Sequence, residues 1–270
     1  MAYGADKTGT CAICGACGPL SFEHVPPERA FNNARILQAD VERMLGSMSF
    51  DDHVRPRGKI KQRGAGGYTL CAKCNNDTGA WYGTDYVHWA AQGMEHVFAL
   101  RAGTSLSLPF HILPQRVFKQ IVCMFASVCG PSFFAEDRSL TRLVLNRDAS
   151  GFPGSLRLYC YYLDPRSAGY RQSGIAALGL TDTGEVKVFA EMAFPPFGYI
   201  LTVNSPPPAG GATDITFFAE SRYNDYRSLF LSLPMLEVNT MFPGDFRPMS
   251  VIQAQFDESV ALMPADNPSA

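Results

Sequence analysis

Two Cys-x-x-Cys pairs, Cys11-Ala-Ile-Cys14 and Cys71-Ala-Lys-Cys74, bracket a Glu23-His24 dipeptide, and Asn75-Asn76 follows the second pair directly. Each short loop turns two sulfurs toward one point, so the four thiolates suit one tetrahedral zinc. The long separation between Cys14 and Cys71 exceeds that of compact zinc modules. Loop-closure cost grows only slowly with length, so a shared site is still expected. Cys17 is a spare thiol, either an alternative ligand or a small neighbour of the site. Beside such a centre, a carboxylate, an imidazole and an amide can hold a second cation and activate water. The Glu23 carboxylate and the Asn75 amide are hard oxygen donors of the kind magnesium or manganese accepts. Histidine as a residue type titrates near neutrality, which fits His24 to general-base work. The plainer alternatives are a hydrogen-bonded loop histidine for His24 and a helix N-cap for Asn75, with Asn76 as its rival.

Glu23-His24-Val25-Pro26-Pro27 together with Cys71-x-x-Cys74-Asn75-Asn76-x-x-Gly79 resembles the HNH endonuclease family in its zinc-stapled form. The resemblance covers about residues 11–85. It implies a treble-clef, ββα-metal fold. It implies that Glu23 and Asn75 hold a catalytic Mg2+ or Mn2+, that His24 activates the attacking water, and that Cys11, Cys14, Cys71 and Cys74 hold a structural Zn2+. It also implies a supporting Asn about five residues before the second Cys pair, a position occupied by Gly66. Asn33 and Asn76 are candidates for that supporting role. The expected activity is metal-dependent hydrolysis of phosphodiester bonds in DNA, in a setting such as restriction or phage defence by fold-level analogy. The alternative is a zinc-stapled nucleic-acid-binding protein without catalysis.

A basic run, Arg55-Pro-Arg57-Gly-Lys59-Ile-Lys61-Gln-Arg63, places a cation at every second residue. In an extended chain all five point to one face, spaced about 6.6–7 Å apart. That spacing suits the phosphates of one nucleic-acid strand and predicts salt-sensitive, sequence-independent binding. The plainer reading is a solvated loop.

These groups need elements to hold them. Cys11 to Leu20, with Gly15, Gly18 and Pro19, reads as a knuckle. Ile36, Leu37, Val41, Met44 and Leu45 recur at helical spacing, predicting a helix over 33–46. A second helix is expected to start near Asn75 or Asn76 and run through Trp81 to Phe98. A third should span Pro114 to Cys129 on the stripe Phe118, Ile121, Val122 and Phe125. Strands are expected at 156–163, 175–180, 186–192, 199–203 and 215–219, separated by turn sequences. Short connections favour an antiparallel sheet and an α+β class.

The division expected is an HNH-like domain over 1–100, an α+β domain over 101–262 and a disordered tail over 263–270. The second part would recognise substrate, regulate, or build a homo-oligomer. The 270 residues carry a formal net charge of -2, so nucleic-acid binding must rest on a local patch. No apolar run reaches the roughly 18–20 residues that span a membrane, and no secretory leader is visible, which points to the cytoplasm. Reduced, metal-bound thiols fit such a chain better than disulfides. Cys123, Cys129 and Cys160 sit in apolar surroundings and read as core. The aromatic clusters at 158–162 and 194–199 read as sheet core, His88 and His96 as packing or surface residues.

Overall fold

The computed structural model describes residues 7–39, 58–99, 107–163, 171–179, 186–208 and 210–236. The first elements are β1 (Thr8–Thr10), β2 (Cys17–His24), β3 (Ile36–Ala39), β4 (Gly58–Lys61) and β5 (Gly66–Cys71). Helix α1 (Ala72–Thr78), a π-helical turn (Gly79–Gly83) and α2 (Thr84–Ala99) follow. Strand β6 (Leu108–Ile112) precedes helices α3 (Pro114–Cys129), α4 (Pro131–Glu136) and α5 (Arg138–Leu145). The rest comprises β7 (Leu156–Leu163), β8 (Arg171–Gly179), β9 (Val186–Phe194), β10 (Phe197–Val203), β11 (Thr213–Asp214), a 3-10 turn (Thr216–Glu220), β12 (Arg227–Leu231) and β13 (Met235–Leu236).

This is a mixed α+β fold built on antiparallel sheets. In the largest sheet the order is β11-β7-β10-β9-β8, and β13 lies parallel to β7. The alternation of β7 explains its place. Leu156, Leu158, Cys160 and Tyr162 enter the main core, while Tyr159, Tyr161 and Leu163 join Phe189 and Ile200 in a second cluster. Side chains two apart share a face, so both faces of this strand are covered. The aromatic clusters of the sheet are thus core, as expected, and so are Cys123 and Cys160.

Helix α3 spans the expected residues. Pro114 suits its first turn, where a missing N–H costs nothing, and Gly130 at φ +81° ends it. It is buried on every side, and it packs against the π turn, α2, α4 and α5.

Three expectations are corrected. Ile36 and Leu37 lie on a strand, not a helix, because β3 pairs with β4 in the register Ile36↔Lys61 and Leu37↔Ile60. The remainder of the proposed helix, 40–46, lies outside the described residues. Residues 216–220 form a 3-10 turn rather than a strand, since only Thr213 and Asp214 reach the edge of β7. The helix expected from Asn75 starts earlier, at Ala72, with Cys71 as its N-cap.

Residues on both sides of the boundary expected near 101 share one core, which runs from Cys11 to Leu233. Tyr82 donates to the Val144 carbonyl (2.9 Å) and Thr141 to the Ile13 carbonyl (3.0 Å). Trp89 stacks on Phe197 at 4.5 Å and donates to the Tyr199 hydroxyl (2.9 Å). Among the described residues, no helix is long and apolar enough to cross a membrane.

Candidate metal centre and active-site cleft

The two Cys pairs converge. Cys11 and Cys14 lie in a turn closed by the bond from Gly15 N–H to the Cys11 carbonyl (2.9 Å). Cys71 ends β5, and Cys74 sits in the first turn of α1, three residues on, which brings both sulfurs to one side of the helix start. All four sulfurs lie within 4.8 Å of one another, and Cys14 and Cys71 stand 3.9 Å apart. Sulfurs of a tetrahedral zinc thiolate site stand about 3.8 Å apart, given a Zn–S bond of about 2.3 Å. The cluster can therefore hold a metal such as zinc. Its own hydrogen bonds favour the thiolate at Cys11 and the thiol at Cys74. The Cys74 thiol donates to Cys11 and lowers the Cys11 pKa to about 4, while Cys74, as the donor, is held far above its ordinary value. Desolvation raises Cys14. Cys17 lies outside the cluster, exposed, 3.5 Å from the Thr10 hydroxyl.

Strands β2 and β5 run from this cluster to His24. Leu20 pairs with Cys71 at one end and His24 with Gly66 at the other, with a bulge between Ser21 and Phe22. Four residues of strand put His24 about 13 Å along from the metal end. Glu23 and His24 are consecutive on β2 just past the bulge, Glu23 buried and His24 partly so. The His24 ring meets the edge of Phe22 (4.9 Å), which meets Tyr68 (5.4 Å).

His24 Nε2 lies 2.9 Å from the Arg63 carbonyl oxygen. A carbonyl can only accept, so Nε2 carries the proton. In the neutral ring Nδ1 is then left as the acceptor. Asn75 donates through Nδ2 to both Ser21 Oγ and the Phe22 carbonyl (3.1 Å each). Both amide hydrogens are spent there, and Oδ1 is the remaining polar atom of that side chain. The Glu23 carboxylate is buried and accepts from Ser127 and, at 3.4 Å, from Thr69. Burial pushes it up to about 7, against the lowering effect of those two hydroxyls.

Glu23, His24 and Asn75 line one cleft of about 340 Å³. Glu28 and Arg29, both exposed, and Gln120 of α3 line it too, and none of the three was singled out from the sequence. Glu28 and Arg29 could have been found as charges just beyond the Glu-His dipeptide. Gln120 carries no sequence signal, since it belongs to a helix remote in the chain.

Asn32 is the residue that sequence reasoning missed most plainly. It is fully buried, and its Oδ1 accepts from Ala65 N–H (2.7 Å) while Nδ2 donates to the carbonyls of Pro26 (2.6 Å) and Ala65 (2.8 Å). It thereby ties the loop after His24 to the residue just before Gly66. Asn33 and Asn76, the candidates named for this work, are exposed. The glycines around it follow from contact. A Cβ on Gly66 would meet the Glu23 carbonyl oxygen at 2.2 Å, so no asparagine fits there. Gly64, at φ +80°, packs its backbone directly onto Asn32.

Of the basic run, Lys59 and Lys61 lie on β4, extended as expected, and Arg63 is exposed just beyond it. Arg55 and Arg57 lie outside the described residues. His88 is exposed, His96 bonds the Tyr162 hydroxyl (3.0 Å), and His111 bonds Ser228 (2.8 Å).

The geometry thus defines an α+β protein with a four-cysteine cluster able to hold a metal, joined by two strands to a polar cleft. No family model, curated protein or solved structure matches this chain.

Proposed function

We propose that the protein is a metal-dependent endonuclease of the HNH type, hydrolysing phosphodiester bonds in DNA. In this reading the unit from Cys11 to Asn75 is a treble clef stapled by Zn2+. One observation carries the reading: His24 is held through Nε2 by the Arg63 carbonyl, with Nδ1 left to accept a proton, on a cleft it shares with Asn75 and Glu23. Phosphodiester hydrolysis needs a base, a positioned water and charge stabilisation. His24 Nδ1 takes the proton of the attacking water. The water oxygen bonds to phosphorus as the P–O bond to the leaving sugar oxygen breaks. Glu23 and Asn75 Oδ1 would hold Mg2+ or Mn2+, which supplies Lewis-acid stabilisation when bound. The pinned amide of Asn75 keeps its oxygen oriented at no cost during the reaction. Lys59, Lys61 and Arg63 lead along the chain to the carbonyl that holds His24, so a backbone gripped there is delivered to the cleft.

The test is plasmid nicking with Mg2+ or Mn2+ added. His24→Ala is expected to lower the rate by about 10²–10⁴-fold at unchanged zinc content. Equal rates in the variant and the parent would reject His24 as the base. Binding of DNA without cleavage under any of these cations would reject the nuclease.

A further inference from the structure

Gln120 is 3% exposed, and its Oε1 has no hydrogen-bond partner. A buried polar atom left unpaired costs about 1–3 kcal/mol, so a native structure rarely keeps one without a use. Gln115, on the same helix, also has an unpaired Oε1, but its Nε2 is anchored on the Ala149 carbonyl (3.0 Å) and it does not line the cleft. Gln120 does line it, together with His24 and Asn75.

The wall above Gln120 is the π-helical turn Gly79–Gly83. Single π turns inside α-helices concentrate at functional sites. Both ends of this one are glycine, and both line the cleft. A Cβ on Gly83 would stand 4.0 Å from Gln120 Oε1, and one on Gly79 would meet nothing within 4 Å. The two glycine ends of the turn thus place no side chain of their own over the carboxamide. The volume of about 340 Å³ is near the lower end for small-ligand pockets, room for a single flat group and not for a duplex.

We propose that this cleft takes one unpaired nucleobase of the substrate, whose edge pairs with the Gln120 carboxamide. The proposal rests on the reading of the site as one that acts on nucleic acid. A carboxamide offers an acceptor and donors side by side, which matches a base edge with an amino donor beside a ring-nitrogen acceptor, as in adenine. A base inside a duplex cannot reach the floor of a cleft. It must be extruded at a cost of a few kcal/mol, least where the strand is already single. The site thus favours single-stranded or mismatched substrate over intact duplex.

The experiment uses full-length, zinc-loaded His24→Ala protein and fluorescence anisotropy. Its probes are a labelled single-stranded oligodeoxynucleotide and the duplex of the same sequence, at one salt concentration. Adding Gln120→Leu is expected to weaken single-strand binding about tenfold and leave duplex binding unchanged. Gly83→Val, which fills the approach without altering Gln120, is expected to do the same. It carries the test alone if Gln120→Leu fails to fold. Unchanged single-strand affinity in both variants overturns the proposal, and an equal loss on single strand and duplex overturns it as well. Either result leaves the nuclease reading to the nicking assay of the unmodified protein. A parent that neither binds single strand nor nicks plasmid overturns both.

Discussion

Asn32 spends its whole side chain on backbone: one acceptor bond and two donor bonds, each between 2.6 and 2.8 Å. Asn32→Ala would strand the Ala65 N–H and the Pro26 carbonyl in a buried place, while the Ala65 carbonyl keeps the Val25 N–H (3.1 Å). Each unsatisfied group costs about 1–3 kcal/mol, and relaxation recovers part of that. The expected loss is about 3 kcal/mol in urea unfolding, with nicking reduced at least about tenfold at unchanged zinc content. A variant as stable and as active as the parent would show that the clamp is dispensable. The sequence displays Asn32 only as half of an Asn-Asn pair. Its partner, Ala65, lies far along the chain, and Phe31 before it adopts φ 66°, which no local preference predicts. Glu23, His24 and Asn75 were legible because short spacings carry them. Asn32 and Gln120 were not, because only tertiary packing brings them to the same place.

At the scale of elements, the β3–β4 hairpin carries exposed charge into the site. Lys59 and Lys61 alternate along β4 and so share a face. Arg35 bonds Gln62 across the hairpin mouth (3.1 Å), and the next residue, Arg63, holds His24. Lys59→Glu with Lys61→Glu is expected to weaken DNA binding and to flatten its salt dependence, by roughly two released counterions or more in a log–log plot. An unchanged slope would mean that these cations stay in solvent throughout. The helix expected over 33–46 shows the limit of periodicity. Ile36 and Leu37 fit a helical stripe, but a partner strand more than 20 residues away decides the matter. Pro114–Cys129 and Leu156–Leu163 were legible to the residue, because a proline start and an unbroken apolar run leave little alternative.

For the molecule as a whole, the decisive fact is that the main core draws on residues from both sides of position 101. Ser127 of α3 holds Glu23, Val144 holds Tyr82, and Thr141 holds Ile13. A fragment of residues 1–100 with zinc added is therefore expected to lack a cooperative thermal transition, whereas the full chain melts as one unit. A sharp, zinc-dependent melt of the fragment would show that the first part stands alone. The sequence suggested two parts because chemistry and aromatic content are segregated along it; segregation of composition is not segregation of packing. The four-cysteine cluster and the β3–β4 register also bracket the segment 40–57 from outside. Whatever length or character that segment takes, its two ends are returned to fixed points before the chain reaches Arg63 and the clefted site. Those ends, Ala39 and Gly58, face each other in the register, so the path of the chain from there to Arg63 is set by the paired strands themselves.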